Sequence, residues 1–152
     1  MDKKNISLGY RKKSAARLAA VQTLYDMEIS KISAKEALQN CQYYKGKNLE
    51  DEAAVGSDTA LLTKLVEGVT DNQEMIDTLI SSCLTADWKI GRLDKVLLSI
   101  LRAGIGELYL FPEVKQQIIL SEYVEVSRAF YDEKEPGLVN AILQKAADQL
   151  RP

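Results

Sequence analysis

Histidine is missing from the 152-residue chain, which also has only two cysteines, three prolines and one tryptophan. Without histidine, the common zinc-ligand sets and the histidine-assisted nucleophiles have no candidate. Cys41 and Cys83 stand far apart and outside any Cys-x-x-Cys, which predicts two reduced, mostly buried thiols in a cytoplasmic protein rather than a disulfide. No run approaches the roughly 18 apolar residues of a membrane span, and no apolar stretch follows the N-terminal basic residues as it would in a signal peptide. The phosphate-loop pattern GxxxxGK[ST] is absent, and Gly104-Ile105-Gly106 falls inside a helical pattern rather than after a strand. Alternating strand patterns are missing too. Carboxylates such as Glu50, Asp51 and Glu52 read as solvated faces. A non-enzymatic binding protein is what remains, with no cofactor, metal or membrane, and long enough to bury about 70% of its unfolded surface in one core.

What is present is a strong charge asymmetry. The net charge is -2, yet Lys3, Lys4, Arg11, Lys12, Lys13 and Arg17 face only Asp2 before residue 18, whereas residues 18–152 hold 14 basic and 21 acidic groups. Ala20, Val21, Leu24 and Met27 form one apolar helical stripe, widened by Leu18 and Tyr25, and Lys13 and Arg17 continue it. Unpaired cations are costly to bury, so this helix is expected to leave the body at its N-terminal end and project its charge into solvent. A helix N-terminus disfavours Lys and Arg by some tenths of a kcal/mol each, so something other than helix stability accounts for them. A polyanion, nucleic acid foremost, is the reading set against a solubilising tail that contacts nothing.

Residues 1–10 read as a flexible basic lead-in and 11–152 as a single all-α domain, a compact bundle of about seven helices. Ser33 and Glu36 have capping-box spacing, 45–57 reads as a surface loop, and Asp58 is a plausible N-cap for Leu61, Leu62, Leu65, Val66 and Val69. A second apolar run, Met75 to Cys83, follows a kink or new start at Thr70–Gln73. The stretch 87–113 is apolar nearly all round and is therefore the central helix, ended by Pro112. Arg102 within it needs a carboxylate, Glu107 or Glu122, and Gly104 and Gly106 permit close approach of another helix. A helix over about 114–130 turns Ile119, Tyr123, Val126 and Phe130 inward, and Pro136 opens the last one. The free N–H groups at that start, with Gly137 and Lys134, make a second candidate anion site, the bland alternative being an ordinary helix start.

Four segments in order carry a resemblance: AARLAAVQTLY (15–25), RLDKVLLSILRAGIGEL (92–108), SEYVEVSRAF (121–130) and LVNAILQKAA (138–147). Together they resemble the NusB family of transcription antitermination factors. That resemblance implies a helical RNA-binding domain that takes single-stranded boxA RNA together with the ribosomal protein NusE. It joins the RNA polymerase elongation complex indirectly, for ribosomal RNA transcription. It implies RNA contacts at Arg11, Lys12, Lys13 and Arg17, and at Lys134, Gly137, Leu138 and Asn140. The chain departs from the family pattern where Ser14 and Ala15 interrupt the basic motif, Ala141 follows Asn140, Leu138 replaces an aromatic, and Leu120-Ser121-Glu122 stands for Ile-Asn-Glu. Weak RNA binding alone and tighter binding with the partner are expected. Four neutralised phosphates predict a log–log salt slope of about -3. The alternatives are a stand-alone module similar to the N-terminal domain of RNA cytosine methyltransferases, which no strand-and-glycine cofactor motif before Pro152 supports, and a protein-only interaction factor.

Overall fold

One helix is wrapped by the others, and its composition explains why. In α5 (Lys95–Leu110), every residue from Leu97 to Leu108 is buried, including the polar Ser99, Arg102 and Glu107. The computed structural model describes residues 3–41, 58–85 and 87–152, with side chains from residue 9 onward. Around α5 lie α1 (Lys3–Ser30), α3 (Thr59–Asp71), α4 (Gln73–Cys83), α6 (Gln116–Arg128) and α7 (Lys134–Leu150), while the short α2 (Ala34–Asn40) packs on α1 and α3. A single 3-10 turn, Ile90–Arg92, precedes α5. The seven α-helices among the described residues, with no strand, match the all-α expectation. The loop expected at 45–57 lies outside the described residues.

Local signals act largely as their chemistry dictates. Ser33 Oγ accepts from the Glu36 N–H (3.1 Å) and Asp58 Oδ1 from the Leu61 N–H (3.0 Å), so both N-caps form. No capping box forms at Thr70–Gln73: the Thr70 hydroxyl donates back to the Val66 carbonyl, and Asn72 separates α3 from α4 with its amide on the Gly68 carbonyl. The glycines of α5 do allow close approach. A Cβ on Gly106 would stand 2.5 Å from Val69 Cγ2, and one on Gly104 2.9 Å from the Leu143 methyls.

At the C-terminal end of α5, Arg151 does what no sequence pattern suggested. Its guanidinium donates to the carbonyls of Leu108, Phe111 and Val114, tying the C-terminal end of the chain to the end of α5 and the turn that follows it. Two inward assignments are corrected: Phe130 is 43% exposed just past the end of α6, and Tyr25 faces solvent on α1. The helical boundary expected near Tyr10 is corrected as well, since α1 is already helical at Lys3.

Candidate nucleic-acid interface

Helix α1 enters the body through an ion-pair network, and this changes the role of one expected RNA contact. Arg17 does not project with the arm: it is 3% exposed. Its Nε and Nη2 bind the Glu107 carboxylate at 2.8 and 2.7 Å, and Nη1 reaches Glu122 Oε1 at 2.6 Å. Tyr123 adds its hydroxyl to Glu107 Oε1 at 2.8 Å. Burial opposes the charge on Arg17, but the two carboxylates outweigh it and its pKa is raised. Burial, first of all, also holds the Tyr123 phenol well above its ordinary range. The expectation that Arg17 stands in solvent is therefore corrected, since burying a guanidinium here is made tolerable by two carboxylates aimed at it.

Neither Glu107 nor Glu122, the two candidate partners of Arg102, pairs with it. Arg102 instead takes Asp77 through Nε and Nη2, both at 2.8 Å, and Glu28 through Nη1 at 3.1 Å. The cost of burying a charge correctly calls for a carboxylate, but the partners come from α4 and α1 rather than from α5 or α6.

Nearer the N-terminus, two more α1 side chains converge on Glu122. Tyr10 Oη donates to Oε2 (2.7 Å) and Ser14 Oγ to Oε1 (2.6 Å). The hydrogen bond to Glu122 is the main reason the Tyr10 pKa is raised. Ser14, which interrupts the basic motif, thus ties the arm to α6. Arg11, Lys12 and Lys13 remain exposed, and the Lys12 carbonyl accepts the Asp58 N–H at 3.1 Å, joining the arm to the start of α3. Lys13 and Lys64 line a cleft of about 290 Å³ with Arg17, Glu107 and Phe111, and Lys64 Nζ stands 4.5 Å from the Phe111 ring centroid.

The second candidate site is built differently from expectation. Helix α7 starts at Lys134, so Pro136 is its third residue and not its first. Pro136 has no N–H to offer, and the amides of Leu138 and Val139 fall inside the helical ladder rather than at its open end. Lys134 rests over the Trp88 ring, with Nζ 4.7 Å from the centroid. Gly137 and Asn140 are exposed, while Leu138 is half-buried against the core. Nor is this site contiguous with the arm. Tyr131, three residues before Lys134, bonds Asp94 at the N-cap of α5, whereas Arg17 bonds Glu107, about 20 Å further along that helix.

The NusB family model matches residues 14–148 of the chain. The chain belongs to the NusB family. It is 41% identical to the transcription antitermination protein NusB of Sinorhizobium fredii, over 91% of this chain and 88% of that protein. It is 38% identical to NusB of Bartonella henselae, over 92% and 89% respectively. Among solved structures, T. maritima NusB superposes with a TM-score of 0.76 at 24% identity, covering 91% of this chain and 92% of that one. A crystal structure of the antitermination factors NusB and NusE in complex with dsRNA gives 0.75 at 24% identity, covering 91% and 98%. These structural likenesses establish the NusB fold. The buried Arg17–Glu107–Glu122 network and the tie between Tyr10 and α6 were not legible as a pattern, because their partners are separated by about a hundred positions in the chain.

Proposed function

We propose that this chain is a transcription antitermination factor that binds single-stranded boxA RNA together with NusE, in the service of ribosomal RNA transcription. The observation that carries the RNA reading is the run Arg11–Lys13, exposed on a helical stem that is hydrogen-bonded to the body at Tyr10, Ser14 and Arg17. A cationic surface held in place binds a polyanion without first having to order itself. The remainder of the chain is net acidic, so the arm is the main point of attraction for RNA. The start of α7, through Lys134, Gly137, Leu138 and Asn140, is a second and separate contact reached only by a longer strand.

NusE as partner is carried over from the structural relative solved with it. A basic ribosomal protein would supply the positive charge that the acidic body lacks, and would link the RNA to the elongating polymerase. The relatives that match over nine-tenths of the chain are antitermination proteins, which favours this reading over a methyltransferase-related module. The test is a fluorescence titration of boxA RNA with and without NusE. The arm triple alone predicts a salt slope of about -2. Binding of NusE that is indifferent to RNA, with no RNA binding by either mixture, would instead support the protein-only role.

A further inference from the structure

Withdrawal of Arg17 into its ion pair leaves Arg11, Lys12 and Lys13 of the four expected arm contacts, but the fold brings a further cation from another helix. Lys64 is exposed on α3, which starts against the arm through the Asp58–Lys12 backbone hydrogen bond. Lys64 and Lys13 line the same cleft, and neither forms an ion pair among the described residues. Of the three carboxylates in that cleft besides the cations, Asp58 caps α3 and Glu107 is held by Arg17 and Tyr123. Glu113, exposed at the rim, is the one left to oppose an anion. The Phe111 ring beneath the ammonium restricts a side chain that would otherwise sample many rotamers.

We propose that Lys64 is a phosphate contact of the RNA-binding surface, completing with Arg11, Lys12 and Lys13 a four-cation patch drawn from two helices. Phe111 positions its ammonium. This rests on the RNA-binding reading above, and it restores from a distant part of the sequence the charge that Arg17 does not provide.

The decisive measurement is the affinity for single-stranded boxA RNA as a function of salt, for the full chain and for Lys64→Ala. With four contacts the parent slope is about -3, and Lys64→Ala should make it shallower by about 0.7. The melting temperature should stay unchanged, because Lys64 is on the surface. Glu113→Gln should tighten binding. Phe111→Leu should weaken it several-fold with the slope kept, since the charge remains while its position is lost. A Lys64→Ala slope equal to the parent's, in a parent that still binds RNA salt-dependently, overturns the proposal. A parent with no salt-dependent RNA binding overturns the RNA reading itself, and the two failures are thereby told apart.

Discussion

At the level of single residues, the two buried arginines set the sharpest expectations. Truncating Arg17 leaves the fully buried Glu107 without its cation, and removing one partner of a buried pair costs roughly 3–5 kcal/mol. Arg17→Ala should therefore lower the denaturant midpoint severely, whereas Lys12→Ala should leave it nearly untouched while weakening RNA binding. Arg102 offers a pH-dependent counterpart. Burial pushes the Glu28 carboxyl up, but the hydrogen bond and charge of Arg102, with Lys31 and Lys95, bring it below its ordinary 4.5. A carboxyl lowered in the folded state contributes stability above its unfolded pKa and loses it as pH falls through the folded one. Stability should decline below about pH 4.5, and Glu28→Gln should make that decline less steep in urea titrations across pH.

Helices set the next scale. The α5 glycines exist for packing, so Gly106→Ala should destabilise by about 1–3 kcal/mol, because Val69 would have to move out of its way. Gly137 is also helical but has open space where a Cβ would go, so Gly137→Ala should stabilise α7 by about 0.5–1 kcal/mol. If that glycine lies against RNA, the same variant loses affinity while gaining stability, which paired melting and binding curves would reveal. For α1, the hydroxyls of Tyr10 and Ser14 hold its first turns to α6. Tyr10→Phe with Ser14→Ala should speed amide exchange near Arg11 with little change in melting temperature. Helix identity and order were legible in the sequence, since periodicity and caps are local: Ser33 and Asp58 cap as read, and the apolar α5 is central. What escaped was partner choice. Arg17 lies on the same stripe as Lys13, and nothing within α1 distinguishes the arginine that meets Glu107 and Glu122 from the lysine that meets solvent. The start of α7 was misread because Pro136 suits a first turn at more than one position.

For the whole molecule, the arrangement of charge and distance matters more than any contact. Asp94, which holds Tyr131 just before α7, and Glu107, which holds Arg17 of α1, lie about 20 Å apart along α5, a span of roughly six stacked nucleotides at about 3.4 Å each. Lys134→Ala should leave the affinity of a shorter oligonucleotide unchanged and weaken a longer one. The acidic body sharpens this by keeping the strand from settling between the two ends in any other way.

Trp88, the only tryptophan, lies directly beneath the Lys134 ammonium. The molecule therefore carries its own label at the distal end of the proposed RNA path. An ammonium drawn off the ring by a phosphate changes the electric field across the indole, and with it the emission maximum. A short strand bound only at the arm should leave that emission as it is, while a strand long enough to reach α7 should shift it, so occupancy of the far end can be read in unlabelled protein by its colour alone.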